Sequence, residues 1–106
     1  MKIIVNKERI EILPYKSFFK KAIGLMGKKN ITKGIVLYSC KSIHTFFMKE
    51  EIDVVMTDRN FLVLYKKENM KKNRILLPKK KVYYTFELPK GKAKSIKINT
   101  KLKIED

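Results

Sequence analysis

The chain has 106 residues, and 44% of them are apolar. That length and composition allow one packed hydrophobic core and argue against a disordered chain, so we predict a single domain over residues 1–106. Lysine and arginine number 26 against 10 acidic residues, which gives a formal net charge of +16. No apolar run approaches the about 20 residues needed to cross a bilayer, and the sequence therefore predicts no transmembrane segment.

Two features that report on the cellular compartment point to the cytoplasm. The first apolar run, Ile3–Val5, is too short to be the core of a signal peptide. Cys40 is the only cysteine, so the chain can form no internal disulfide, as is usual in a reducing compartment. We therefore predict a cytoplasmic protein, and the sequence leaves its oligomeric state unknown.

The first third of the chain predicts two strands and a helix. Lys2–Asn6 and Arg9–Tyr15 read as strands, and Pro14 predicts that the second strand ends there or lies at a sheet edge. In residues 17–27, apolar side chains recur at spacings of three and four, a serine begins the segment and a glycine ends it. We predict the main helix of the fold in this segment.

The middle of the chain predicts four further strands. Gly34–Ser39 is a nearly continuous run of β-forming apolar residues, the pattern of a well-covered strand. Ile43–Met48 places apolar side chains on both faces of an extended chain, so we predict that it is central in the sheet. Ile52–Thr57 and Phe61–Tyr65 follow, joined by a polar turn.

The last third combines a basic segment with two more strands. Lys66–Lys81 is rich in lysine and holds one acid, and we predict a surface loop there. Val82–Leu88 is a strand that Pro89 ends, Lys92–Ile98 can hold one helical turn, and Lys101–Glu105 alternates as a closing strand. Because closure removes exposed strand edges, we predict a mainly β fold: a small antiparallel β-barrel or sandwich of about seven or eight short strands with one main α-helix.

Five segments spread over nearly the whole chain carry a family resemblance. In order, they are a basic helix turn with glycine-leucine-methionine, a glycine-apolar strand, an aromatic-aromatic-methionine segment, an apolar-aspartate strand and a glutamate-leucine-proline-x-glycine signature. They occupy Lys20–Gly27, Gly34–Leu37, Ile43–Lys49, Ile52–Asp58 and Glu87–Gly91. In this order they resemble domain-of-unknown-function family 192 of bacteria and archaea.

The resemblance implies a compact, mostly β fold with one main helix, and it implies no activity. Three positions depart from the family pattern. Phe47 stands where many members have tryptophan, and Glu50-Glu51 replaces a turn that commonly contains proline. Asn99-Thr100 replaces the glycine-aspartate pair that usually precedes the last strand.

An enzyme hypothesis would use Cys40, His44 and Asp53 as a catalytic group. In one continuous strand, however, Cys40 and His44 would lie about 13 Å apart, far beyond the about 3 Å of a catalytic dyad. The alternative is a buried thiol and a hydrogen-bonded imidazole, and the hydrolase-like enzyme is the less favoured hypothesis. Asp53 lies in an otherwise apolar strand, where we expect it to accept backbone amides from the Lys49–Glu51 turn.

Metal and cofactor chemistry have little basis in the sequence. A zinc site needs three or four Cys, His or carboxylate ligands, and the chain has one Cys and one His. The acids that could hold a hard cation, or pair with neighbouring lysines instead, are Glu50, Glu51, Asp53 and Asp58. There is no glycine-rich phosphate loop. We predict no metal and no cofactor.

Two surfaces are candidates for binding. The first is a pocket lined by Met26, His44, Phe46, Met48 and Asp53. The second is a polyanion patch formed by Lys66, Lys67, Lys71, Lys72, Arg74, Lys79, Lys80 and Lys81. Nucleic acid or another polyanion is the partner class that the charge favours, and the alternative is a solvated surface without a partner. The scarcity of arginine argues against base-specific recognition. We therefore predict a non-enzymatic binding module.

Overall fold

The computed structural model describes residues 1–15, 32–38, 43–44, 50–71, 74–76 and 80–106, and these residues form nine strands. The strands are β1 (Lys2–Val5), β2 (Glu8–Tyr15), β3 (Gly34–Tyr38), β4 (Ile43–His44), β5 (Ile52–Thr57), β6 (Val63–Met70), β7 (Ile75–Leu76), β8 (Tyr84–Pro89) and β9 (Lys103–Glu105). The helix predicted over residues 17–27 lies outside the described residues. Within the ranges given, no helix has the length and apolar character that crossing a membrane requires.

Seven of the described strands form one curled sheet in the order β6-β5-β8-β3-β2-β1-β9. Beyond the named strands, Leu62 bridges to Lys101, and the amide of Leu102 donates to the carbonyl of Phe61 at 2.9 Å. These bonds join the segment before β6 to the segment before β9, so the sheet curls into a half-barrel. The mainly β prediction is confirmed.

One strand pair departs from the predicted antiparallel arrangement. β2 and β3 run parallel, with Ile12 opposite Gly34 and Tyr15 opposite Leu37, whereas the other neighbouring pairs of the described sheet are antiparallel. A parallel pair needs a connection of about a dozen or more residues, which the chain between β2 and β3 provides. From residue 13 onward, β2 pairs only with β3 among the described strands, which agrees with the edge position that Pro14 predicted.

The first hairpin is closed by a two-residue turn. Val5 pairs with Glu8, and the two residues between them, Asn6 and Lys7, have φ values of 47° and 68°. Two successive left-handed residues characterise the turn that matches the twist of a tight hairpin. Asparagine tolerates this conformation, but lysine adopts it rarely, because its Cβ approaches the backbone.

The interior strands β3 and β5 bury side chains on both faces. Val36 and Val55 pack in one core cluster, whose largest side chain is the fully buried Phe86. Ile35 and Val54, their neighbours in sequence, pack in a second cluster. Because successive side chains of a strand point to opposite faces, burial of both faces requires the nearly continuous apolar sequences of these strands. The prediction of a well-covered strand at β3 is confirmed.

The glycine that begins β3 is required by close packing. A Cβ at Gly34 would lie 2.8 Å from Ile12 Cδ1 and 2.9 Å from the carbonyl oxygen of Glu87. The backbone oxygen belongs to the neighbouring strand β8 and cannot move aside without disturbing the sheet. This contact explains why a glycine leads into the apolar strand.

Two predicted segments differ in the structure. In the described residues, the predicted central strand Ile43–Met48 is represented only by β4, which pairs with β7 in a separate two-stranded sheet. The basic segment predicted as a loop begins as a strand, because β6 continues to Met70. β6 lies at an edge of the described sheet, so its buried Val63 and Met70 anchor it while the polar side chains between them are mostly exposed. Because the apolar residues of β6 do not alternate regularly with polar ones, the sequence pattern does not predict a strand beyond Tyr65.

Candidate functional site

The structure places two residues of the predicted pocket in different sheets. Asp53 lies on β5 in the large sheet, whereas His44 lies on β4 in the two-stranded sheet. Outside the described residues lie Met26, Cys40, Phe46 and Met48. The pocket and the catalytic group that include these residues stay predictions. Among the described residues, no three His, Cys, Asp or Glu side chains are grouped so that they could hold a metal ion.

Asp53 is completely buried, and both oxygens of its carboxylate accept backbone amides. Oδ1 accepts from Asn69 at 2.8 Å, and Oδ2 accepts from Gly91 at 3.0 Å and from Ala93 at 2.9 Å. These three hydrogen bonds compensate for removing the carboxylate from water. An amide-accepting role was expected, but these donors belong to β6 and to the turn after β8 rather than to the predicted Lys49–Glu51 turn.

The amides that donate hydrogen bonds to Asp53 belong to residues in irregular backbone. The β5–β6 register shifts between Ile52 and Val54, and Asn69 opposite this shift has a φ of 52°. Gly91 has a φ of 89°, in the left-handed region that glycine adopts most easily. Asp53 therefore fixes a bulge in one neighbouring strand and a turn beyond the other. Two segments of the family resemblance, the apolar-aspartate strand and the signature ending in Gly91, are in direct contact here.

Lys66 holds the same turn from its carbonyl side. Its ammonium donates to the carbonyl of Ile96 at 2.7 Å and of Ala93 at 3.3 Å, and it pairs with Glu68 at 3.3 Å. Asp53 and Lys66 together fix the segment from residue 91 to residue 96, where amides donate to carbonyls three residues earlier. This run of turns stands where one helical turn was predicted. Lys66, assigned from sequence to a polyanion patch, thus makes internal contacts.

The other members of the predicted polyanion patch divide into two groups. Exposed in the structure are Lys67, Lys71, Arg74, Lys80 and Lys81. Outside the described residues lie Lys72 and Lys79. The patch stays a prediction, with its described part spread over β6, the approach to β7 and the turn before β8.

We expect replacement of Lys66 by methionine to lower the free energy of unfolding by about 1–2 kcal/mol. The substitution keeps the aliphatic stem but leaves the carbonyls of Ala93 and Ile96 without their donor. Urea denaturation of Lys66→Met beside Lys67→Met provides the measurement, because Lys67 is the exposed neighbour on the same strand. Equal midpoints for the two variants would contradict a structural role for Lys66.

A groove of about 380 Å³ lies between the first hairpin and the segment from residue 95 to residue 103. Its apolar lining consists of Ile4, Val5, Ile96 and Leu102. Its polar lining consists of Asn6, Lys7, Ser95, Lys97, Thr100, Lys101 and Lys103. Within the described part of the chain, no aspartate or glutamate lines it. The groove therefore combines four cationic groups with hydroxyl, amide and apolar surfaces.

The lysines of the groove have no acidic partner among the described residues, unlike two lysines of the preceding turn. Lys90 pairs with Glu51 at 3.3 Å, and Lys92 pairs with Glu8. Among the described residues, no ion pair or side-chain hydrogen bond involves the ammonium groups of the groove, on Lys7, Lys97, Lys101 and Lys103. Like charges grouped around a concavity produce a positive potential that attracts anions.

The groove was not predicted from the sequence, although the sequence carries a signal for it. Between Leu88 and Ile104 the chain has six lysines and no acid. This segment is less dense in lysine than Lys66–Lys81, which drew the prediction of a basic surface. The hairpin that supplies Lys7 is far away in sequence, so the groove depends on contacts that no local pattern records.

A second cluster groups four aromatic rings and an arginine. The rings of Phe61 and Tyr84 stack with their centroids 4.6 Å apart, and Tyr38 and Tyr83 meet Tyr84 edge to face. The guanidinium of Arg59 lies 4.8 Å from the centre of the Tyr83 ring. Burial raises the pKa of Tyr84, the neighbouring Tyr38 and Tyr83 raise it further, and Arg59 lowers it. The rings pack on one another, and those of Tyr38, Phe61 and Tyr84 also pack on the first core cluster, which indicates a structural role.

We expect the folded protein to contain a tyrosine that ionises above the usual tyrosine range, and Tyr84→Phe to remove that component. Because the folded state raises the pKa of Tyr84, the associated stability is complete below the ordinary tyrosine pKa of about 10 and is lost as pH rises through the folded-state value. Absorbance titration of the phenolate checks this expectation. If the absorbance change lost in Tyr84→Phe had the pKa of an ordinary tyrosine, the expectation would be contradicted.

Comparison with known proteins decides the family. The sequence profile of the family described as "Uncharacterized ACR", which is domain-of-unknown-function family 192, matches residues 1–105. The chain belongs to domain-of-unknown-function family 192. A UPF0127 protein of Pyrococcus horikoshii is 41% identical over 86 residues, covering 76% of this chain and 74% of that protein. A UPF0127 protein of Thermococcus kodakarensis is 34% identical over 88 residues, covering 77% of this chain but only 55% of that protein.

Two solved structures share the fold of this member of family 192 at 14% sequence identity. A protein of unknown function from Novosphingobium aromaticivorans superposes with a TM-score of 0.79, covering 97% of this chain and 82% of that one. A proposed transcription regulator from Sinorhizobium meliloti superposes with a TM-score of 0.80, covering 96% of this chain and 89% of that one. At this identity the likeness establishes the half-barrel fold alone.

Proposed function

We propose that this member of family 192 is a small, non-enzymatic binding module whose ligand is an anion held in the lysine-lined groove. The observation that carries the proposal is the grouping of Lys7, Lys97, Lys101 and Lys103 around one concavity, with no carboxylate in its described lining. Mutual repulsion of these cations raises the free energy of the empty groove, and a bound anion relieves it. Nucleic acid and other polyanions are therefore suitable partner classes.

The charge outside the groove supports the same function in a different way. The net charge is +16, and exposed lysines such as Lys67, Lys80 and Lys81 lie away from the described lining of the groove. A positive surface of this kind accelerates the approach of anions over distances of about a Debye length, and the effect weakens as salt increases. In this proposal the surface steers the ligand and the groove holds it.

The contacts of Asp53 are those of a structural residue. Its side chain is fully buried, and its two oxygens accept the amides of Asn69, Gly91 and Ala93, which belong to a bulge and a turn of the fold. This structural role requires no catalytic partner for Asp53, and it therefore supports the proposal of a non-enzymatic protein.

A binding assay with matched variants tests the proposal. The probes are fluorescent single-stranded RNA and DNA oligomers, with heparin as a polyanion without bases. The groove variant carries Lys97→Gln and Lys101→Gln, and the control variant carries Lys67→Gln and Lys80→Gln. Both variants lose the same charge at exposed positions, but only the first pair lines the groove. Affinities are measured across a salt series that includes physiological ionic strength, about 0.15 M.

The proposal expects the groove variant to bind at least one of these polyanions about tenfold or more weakly than the control variant. Loss of two phosphate contacts also makes the dependence of log affinity on log salt shallower, by about 0.7 per contact for a single strand. Equal losses in the two variants would mean that net charge alone drives binding and would overturn the proposal. A larger loss in the control would move the site to the polyanion patch predicted from sequence.

A further inference from the structure

We infer that the ligand of the groove is a small organic phosphate, of about nucleotide size, that carries at least two phosphate charges. This inference rests on the proposed function, because it assigns a ligand class to the same site. The inferred ligand is a compact molecule held within the groove, not a polymer that runs across the protein surface. Size, charge distribution, lining chemistry and the backbone of Lys7 support it.

The size of the groove suits a small molecule. Its volume of about 380 Å³ lies near the lower end of the range that small-molecule sites occupy, roughly 300–1,000 Å³. A polymer site would need unpaired cations that continue beyond the groove. Along the same segment, two of the three lysines that precede the groove are neutralised, since Lys90 pairs with Glu51 and Lys92 pairs with Glu8. On this segment, lysines without an acidic partner in the described part of the chain are therefore more frequent at the groove than before it.

The lining supplies separate partners for a phosphate and for an organic body. Lysine ammonium groups bind phosphate as point charges, and a hydroxyl such as that of Ser95 or the amide of Asn6 can donate to phosphate oxygens. The buried side chains of Ile96 and Leu102 give the groove apolar surface that an inorganic ion would not use. The combination favours a phosphate ester over a bare phosphate.

Lys7 occupies its place in the groove at a conformational cost. Its φ of 68° falls in the left-handed region at the second position of a tight hairpin turn, where glycine after asparagine is the favoured residue. A strained residue at a candidate site points to a use for its side chain. Lys7 is the only cationic residue that the hairpin contributes to the described lining of the groove.

The conformation of Lys7 provides a sharp test, because Lys7→Gly relieves the turn while removing the ammonium. Lys81→Gly is a matched control: Lys81 is also exposed, also has a left-handed φ, of 66°, and lies outside the described lining of the groove. Isothermal titration calorimetry with ATP, ADP and inorganic tripolyphosphate measures affinity, and thermal unfolding measures stability. A short single-stranded RNA oligomer is titrated in parallel.

We expect ATP or ADP to bind the unmodified protein, and tripolyphosphate to bind more weakly because it cannot use the apolar wall. We expect Lys7→Gly to weaken nucleotide binding about fivefold or more, with a melting temperature equal to or above that of the unmodified protein. Lys81→Gly should weaken binding by less than about twofold, the effect of losing one steering charge outside the groove.

Three results would overturn the inference. Binding of tripolyphosphate as tight as that of ATP would show that the organic body makes no contact with the groove. Equal weakening by Lys7→Gly and Lys81→Gly would show that Lys7 has no specific part in binding. Binding of the RNA oligomer without binding of ATP or ADP would refute the small-ligand assignment while leaving an anion-binding groove intact; if the oligomer, the nucleotides and tripolyphosphate all fail to bind, the proposed function fails with it.

Discussion

Replacement of Asp53 by alanine should lower the free energy of unfolding by about 4 kcal/mol and leave little folded protein at physiological temperature. The substitution removes the acceptor of the amides of Asn69, Gly91 and Ala93. A buried donor left without a partner costs about 1–3 kcal/mol, and hydrogen bonds to a charged acceptor are the stronger class. These hydrogen bonds also hold two irregular segments, the bulge in β6 and the turn after β8. Both segments would lose the side chain that connects them.

Asp53→Asn separates the hydrogen-bonding effect from the effect of volume. Asparagine has nearly the same shape as aspartate, but its NH₂ group faces backbone amides that need an acceptor. We therefore expect the free energy of unfolding to fall by an intermediate amount, about 2 kcal/mol. Guanidinium denaturation of the three proteins gives the order of stability. If Asp53→Ala were as stable as the unmodified protein, the amide bonds of Asp53 would be irrelevant to folding and the account of its role would fail.

Phe86→Ala should destabilise the protein by about 3–5 kcal/mol, as truncation of a buried aromatic ring does. Phe86 has no exposed surface and stands in register between Val36 on β3 and Val55 on β5. Its ring also lies 6.4 Å from that of Phe61. Alanine would therefore leave a cavity between β3 and β5. Because strands flank this position on both sides, the surrounding structure can collapse only partly to fill the cavity.

Ile98→Ala is the matched comparison for Phe86→Ala, since 49% of Ile98 is exposed. We expect its free energy of unfolding to change by less than about 0.5 kcal/mol. Thermal and urea denaturation report both variants under identical conditions. Similar melting temperatures for the two would show that β8 does not lie at the centre of the fold.

The groove depends on the buried polar contacts that these experiments examine. Ser95, Ile96 and Lys97 line the groove at the end of the segment that Asp53 and Lys66 hold through its amides and carbonyls. Loosening that turn would move one wall of the groove. Stability and ligand binding are therefore coupled in this protein, and affinity measurements on Asp53 or Lys66 variants should be made well below their melting temperatures.

Much of the strand content follows from the local sequence. The predicted strand Ile52–Thr57 has the same bounds in the structure, and the predicted strand Gly34–Ser39 matches β3 as far as Tyr38, beyond which Ser39 lies outside the described residues. Both segments place apolar β-forming side chains on two faces, a pattern that short-range geometry converts directly into a buried strand. β6 was harder to predict beyond Tyr65, because an edge strand needs only a few inward anchors and tolerates charged residues between them.

The local sequence is enough to predict the mainly β class, the net positive charge, the family and the amide-accepting role of a carboxylate placed among apolar neighbours. Tertiary contacts were needed to show that β2 and β3 run parallel, which distant amides donate to Asp53, and that Lys7 shares a groove with Lys97 and Lys101. The difference lies in the range of the interactions. Alternation and burial act between adjacent residues, whereas the groove exists because β9 pairs with β1 and brings the two ends of the chain together.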